Sequence, residues 1–178
     1  MTTPAPFFII DSIGKGFLAV MAHPARRGDA GMMIRELATQ GVQQVVSLLD
    51  PDEARELGLE NESELIHEQS MDFVSFPIPD MGLPVSVDDF AGLSKNLFHQ
   101  VEAGINTLIH CRAGIGRSGL LAAAMLLHGG RSVQQAFAQV AHMRGHQVPE
   151  TVQQGDWLLA NHALITVVDD PLSGRSNR

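Results

Sequence analysis

The ten residues His110-Cys111-Arg112-Ala113-Gly114-Ile115-Gly116-Arg117-Ser118-Gly119 constrain this chain more than any other stretch of it. Ahead of them, Ile105 to His110 reads as a short buried strand; behind them, Leu120 to Leu127 is apolar and helix-favouring. A strand that passes through one tight glycine-containing turn into a helix belongs in an α/β sandwich, with the turn at the carboxyl end of its strand. Such a junction gathers converging backbone N–H groups at the positive end of a helix dipole, which is the environment a phosphate dianion needs. Gly114, Gly116 and a helix starting near Arg117 supply it.

Cys111 is the chain's single cysteine, and it stands at that helix N-terminus among amides and Arg117. Electropositive positions of this kind are where reactive thiolates occur, so Cys111 is expected to act as a nucleophile on a bound phosphate. A displaced oxygen then needs a proton donor. The segment Phe76-Pro77-Ile78-Pro79-Asp80-Met81-Gly82-Leu83-Pro84 offers Asp80 in a proline-stiffened loop after a predicted strand, Phe73 to Phe76. A third stretch runs from Arg144 to Gln154; in it Pro149 is expected to open a helix and Glu150 to sit in its first turn.

These residues resemble the His-Cys-x5-Arg-Ser/Thr signature of the protein tyrosine and dual-specificity phosphatase superfamily, and the decapeptide is most similar to its cell-cycle and kinase-associated dual-specificity branch. The resemblance covers roughly Gly16 to Leu164 and implies a cysteine-phosphatase fold and a cysteinyl-phosphate mechanism without metal or cofactor. It makes Cys111 the nucleophile, Asp80 the general acid and Arg117 a fork for two phosphate oxygens. The loop N–H groups of Arg112, Ala113, Gly114, Ile115 and Gly116 hold the charge. Ser118 donates to the sulfur, His110 supports the loop, and Gln154, with Gln153 beside it, orients water. The tryptophan that leads the acid loop in some members is absent, as in many dual-specificity members, and the chain has no tyrosine to deepen the pocket. A shallow pocket admits phosphoserine and phosphothreonine as well as phosphotyrosine, so the implied partner is a phosphorylated protein or peptide.

Three alternatives remain open at this point. Arg112 adds a charge inside the loop, as lipid-phosphate members do, which leaves a phosphorylated small molecule or a phosphoinositide head group as substrate. A non-catalytic phosphate-binding module is the second. The third is a sulfur or arsenic oxyanion enzyme, which is disfavoured by the acid loop and by the late position of Cys111. Arg26 and Arg27, after His23-Pro24-Ala25 in a surface loop, either favour an acidic substrate or are merely solvated.

Composition bounds the rest. With 178 residues and 44% hydrophobic content, the chain reads as one phosphatase domain over residues 1–168 and a flexible C-terminal tail over 169–178. No apolar run approaches the ~20 residues of a membrane span, and no leader is evident. One cysteine rules out an internal disulfide and suits a reducing cytoplasm. A net charge of −8 with scattered lysines and arginines argues against nucleic acid, and the dispersed histidines give no metal-ligand spacing.

Further strands are expected at Phe17–Met21 and Val42–Leu49, giving a central, mostly parallel sheet of four to five strands flanked by helices. Helices are expected over Asp29 to Gln40, from Asp50 with a capping-box Glu53, over Leu57 to Gln69, over Val87 to Ala103, from Ser132 to about Arg144, and from Pro149 to about Ile165.

Overall fold

Five strands form one sheet in the order β1-β2-β5-β3-β4, in a computed structural model that describes residues 5–167. The strands are β1 (Phe8–Ile13), β2 (Gly16–Ala22), β3 (Gln44–Ser47), β4 (Asp72–Ser75) and β5 (Thr107–Cys111). β2, β5, β3 and β4 are parallel, and they coincide with the four apolar stretches read from the sequence. β1 is an addition that the sequence reading lacked. It pairs antiparallel with β2 through a register shift between Ile9 and Asp11 and leaves Phe8 and Ile9 exposed, so it carries no clean two-residue alternation. The tail assigned to 169–178 lies outside the described residues.

The helices are α1 (Ala30–Thr39), α2 (Pro51–Glu56), α3 (Glu62–Glu68), α4 (Val87–Ala103), α5 (Gly116–His128), α6 (Val133–Arg144) and α7 (Val152–Ile165). Side chains take up orphan N–H groups at the starts of five of them: Asp29 accepts from Met32 N in α1 and Ser86 from Asp89 N in α4, and Asp50, Ser132 and Thr151 form capping boxes with Glu53, Gln135 and Gln154 respectively. Two expectations are corrected. The helix predicted from Leu57 begins only at Glu62, because Gly58 takes φ 68° and diverts the chain into a turn. The last helix begins at Val152 with Thr151 as its cap, so Pro149, which follows a cis peptide bond, and Glu150 precede the helix.

Alternation along the strands sorts side chains between two layers. Leu18, Val20, Val46, Ile109 and Cys111 face the larger one, where α4, α5, α6 and α7 pack. Ala19, Met21, Val45 and Leu108 face the smaller one, with Ile34 and Leu37 of α1 and Ile66 of α3. That parity places Cys111 on the side of α5 and turns His110 to the opposite face. α7 is anchored by Trp157, whose ring meets Phe90 of α4 edge-on at 5.2 Å. Among the described residues no helix is long and apolar enough to cross a membrane.

Candidate active site

β5 ends at Cys111 and α5 begins at Gly116, so the intervening loop sits at the carboxyl end of the sheet. Gly114 takes φ 70°, and a β-carbon there would collide with the backbone of Met21 on the neighbouring strand. Only glycine fits both demands. Gly116 lies under the Glu150 side chain, which a β-carbon there would push aside. Arg144, at the end of α6, donates from Nε to the Gly114 carbonyl at 2.8 Å and from Nη2 to the Ala113 carbonyl at 3.1 Å. A trans peptide sets its C=O and N–H in opposite directions, so holding these two carbonyls turns the N–H groups of Gly114 and Ile115 away from Arg144.

Cys111 is 2% exposed, and its Sγ lies 3.3 Å from Ser118 Oγ on the first turn of α5. One turn of helix also carries Arg117, equally buried. Its Nη1 donates to Glu53 Oε2 at 2.6 Å and to the Ile78 carbonyl at 2.9 Å; its Nη2 donates to Glu53 Oε1 at 2.9 Å and to Asp80 Oδ1 at 2.8 Å. Burial works against the charge on Arg117, but its hydrogen bonds to Glu53 and the electrostatic pull of Cys111, Glu53 and Asp80 outweigh burial and raise its pKa. The guanidinium is therefore a permanent cation whose four terminal N–H groups are engaged. The expected fork onto two phosphate oxygens needs Nε together with one Nη, and Nη2 becomes available only when Asp80 lets go.

Asp80 is the solvent-facing part of this network. Its side chain is 48% exposed, it accepts from Met81 N at 3.1 Å, and Met81 has φ 56°, a left-handed conformation that a non-glycine side chain adopts at some strain. Gly82 N closes the turn onto the Pro79 carbonyl at 2.8 Å. Gln154 is fully buried behind this loop, with Nε2 3.5 Å from the Gly82 carbonyl and Oε1 3.4 Å from Thr151 N. It reaches the site through the acid loop, while Gln153 is exposed.

Cys111, Arg117, Ser118 and Asp80 thus converge. Two supporting residues act differently from expectation. Arg112 directs its side chain to Glu53 at 3.8 Å and Glu56 at 3.4 Å, so only its backbone belongs to the loop. His110 donates or accepts no bond within the loop; its Nε2 pairs with the buried Glu62 Oε1 at 2.7 Å and its Nδ1 is buried without a partner. Sequence reasoning missed Glu53 as the carboxylate under Arg117, Glu62 as the partner of His110, and Arg144 as the loop clamp. A buried arginine demands a buried carboxylate, but nothing in the spacing says which one.

A cysteine at a strand-loop-helix junction, with Arg117 on the first turn of the helix that follows, is the arrangement of the cysteine-phosphatase class. The chain belongs to its dual-specificity group: the family model described as PTP-SAK, Swiss Army Knife protein, DSP-PTPase phosphatase domain, matches residues 8–155. Cyclin-dependent kinase inhibitor 3 of Sus scrofa is 31% identical over 125 residues, which is 69% of this chain and 58% of the relative. The chain thus matches less than two thirds of that relative's length. A solved structure of kinase associated phosphatase with its catalytic site cysteine replaced by serine superposes with a TM-score of 0.81 at 23% identity, over 93% of this chain and 98% of the other. PTPMT1 in complex with PI(5)P superposes with a TM-score of 0.74 at 22% identity, over 90% and 97%. Both likenesses establish the shared fold.

Proposed function

We propose that this chain hydrolyses phosphomonoesters on protein tyrosine, serine and threonine through a cysteinyl-phosphate intermediate. The observation that carries the reading is the single guanidinium of Arg117 held at 2.8 Å by Asp80 and standing next to Ser118, whose hydroxyl meets the Cys111 sulfur at 3.3 Å. Nucleophile, phosphate anchor and acid therefore share one point.

A phosphate entering the loop is drawn by the inward N–H groups and by Arg117. It takes Nε and displaces Asp80 from Nη2, which frees the carboxyl group to stand over the leaving oxygen. Cys111 attacks phosphorus in line, the P–O bond to the substrate breaks, and Asp80 hands its proton to the departing oxygen. Water then attacks the thiophosphate, Asp80 accepts its proton, and the Ser118 hydroxyl donates to the departing thiolate. Gln154 holds the Gly82 backbone so that the acid loop returns to the same place, and when loosened from it offers its amide to the water.

The absence of tyrosine supports a shallow, dual-specificity pocket. The non-protein alternative rested on Arg112, whose side chain is committed to Glu53 and Glu56, so the protein substrate is favoured. A reducing compartment such as the cytoplasm suits a chain that works through one thiolate. The test is kcat/KM at one pH on matched phosphotyrosine and phosphothreonine peptides and a soluble inositol phosphate, with Cys111→Ser as the blank. Turnover of both peptides above the inositol phosphate is expected; turnover that survives Cys111→Ser removes the nucleophile.

A further inference from the structure

Gly116 and Gly119 stand three residues apart in α5 and so share one face of its first turn. The segment that precedes α7 rests on that face. Val148, 6% exposed, lies over Gly119, with its Cγ1 2.7 Å from where a β-carbon would stand. The Glu150 side chain lies over Gly116, its Cβ and Cδ each 3.1 Å from the corresponding point and its Oε2 nearer still. Between them Pro149 sets its Cγ 3.1 Å from the same point on Gly155 of α7. Three glycines therefore let the segment 148–150 press against the helix that opens from the phosphate loop.

Gly116 ends that loop and begins α5, so Glu150 brings a carboxylate to the rim of the phosphate cradle. Gly116 is buried and Glu150 is exposed, which puts the carboxylate on the solvent side, where a substrate enters. Glu150 makes no ion pair among the described residues, and the arginines of the site are engaged elsewhere. Arg117 is held by Glu53 and Asp80, Arg112 by Glu53 and Glu56, and Arg144 by the Ala113 and Gly114 carbonyls. A phosphate that settles over Cys111 is met by the loop N–H groups and Arg117, but it adds negative charge beside a carboxylate that has no cation of its own. Like charges at close range oppose one another, and a cation supplied by the substrate removes the conflict.

We propose that Glu150 is a specificity-determining residue that accepts a lysine or arginine side chain beside the phosphorylated residue, so that the preferred substrate is a basic phosphopeptide. The same carboxylate discriminates against substrates with further negative charge next to the phosphate under attack. An extended peptide advances about 3.3–3.6 Å per residue, so the basic residue falls within roughly two positions of the phosphorylated one. The proposal rests on the phosphatase reading of Cys111 and adds the substrate class to it.

The test measures kcat/KM on phosphothreonine peptides that are identical except for arginine, glutamine or glutamate at each of the two positions on either side of the phosphorylated residue. Wild type is expected to favour arginine over glutamine at one or more positions by about two- to fivefold, the range an exposed ion pair supplies. It is expected to disfavour glutamate, and the whole preference should shrink as ionic strength rises. Glu150→Gln is expected to level the series, and Glu150→Arg to turn it in favour of glutamate. Each result is a ratio between peptides on one protein, so a variant that merely disturbs the loop and slows every peptide alike does not imitate it. A wild type without an arginine preference, or a preference that survives Glu150→Gln, overturns the assignment. If the wild type turns over no monoester, the phosphatase reading fails by itself. Binding of the same peptides to Cys111→Ser, by calorimetry, then reads recognition alone: tighter binding of the arginine peptides that is lost when Glu150→Gln is added upholds it, and equal binding of all three removes it.

Discussion

Arg117 shares its charge between one buried and one half-exposed carboxylate, and the two do separate jobs. Glu53 grips both terminal nitrogens from below and its side chain is 8% exposed. Glu53→Ala strands a buried cation, which costs about 3–5 kcal/mol when one partner of a buried pair is removed. A urea titration is expected to show that loss together with a fall in kcat/KM, and a stability equal to wild type would show that Arg117 finds other partners. Asp80 touches one nitrogen from the solvent side. Asp80→Asn is expected to lower kcat by about 10²–10⁴-fold on phosphoserine or phosphothreonine peptides and far less on an activated aryl phosphate, whose leaving group needs no proton. Equal losses on the two substrates would remove the acid role.

At the scale of the element, the beginning of α7 determines where the acid loop rests. Thr151 caps the helix through Gln154 N at 3.1 Å, and the Gln154 side chain returns to Thr151 N while holding the Gly82 carbonyl. Thr151→Ala removes a cap typically worth ~0.5–2 kcal/mol. It is expected to lower Tm and to slow hydrolysis of the cysteinyl phosphate more than its formation, which a rapid-mixing assay reads as a larger burst before the steady state. Loss of Tm with an unchanged burst would leave Thr151 a structural role only. The loop before α5 is under tighter control. Gly114→Ala must push Met21 of β2 aside while holding φ 70°, so it is expected to lower both Tm and kcat/KM; an unchanged kcat/KM would show that the loop tolerates a different path.

On the scale of the whole molecule, α4 and α5 meet at His128, whose Nε2 lies 2.9 Å from Ser94 Oγ. Burial, followed by the charges of His99 and Lys95, pushes the pKa of His128 down to about 4 from an ordinary 6.5. Between those values the unfolded chain binds a proton that the folded chain refuses. The stability from this site is therefore fully present above about pH 6.5 and declines as pH falls towards about 4. Urea midpoints measured down this range are expected to drop in wild type and to drop less in His128→Gln, which keeps a hydrogen-bonding amide but has no proton to gain. Parallel curves would place the acid sensitivity elsewhere.

Read along the chain, the phosphate loop was legible, apart from the side-chain partners of His110 and Arg112, because its chemistry is local. A nucleophile, two glycines, an arginine and a hydroxyl must lie within one turn of backbone, and Cys111, Gly114, Gly116, Arg117 and Ser118 do so in sequence as in space. Capped helices and the four parallel strands were legible for the same reason, since caps and apolar runs act over a few residues. The edge strand β1 was not, because an exposed, bulged strand leaves no periodic trace. Nor was the surrounding shell of the site. Glu53 reached Arg117, Glu62 reached His110, and Arg144 reached the loop carbonyls only once the sheet order and the packing of α2, α3 and α6 had set the distances. The sequence by itself determined which groups the loop and the Asp80 segment offer for the proposed chemistry; the tertiary structure decided which groups hold them in place, because charge pairing is a matter of distance through space and leaves no mark in the spacing along the chain.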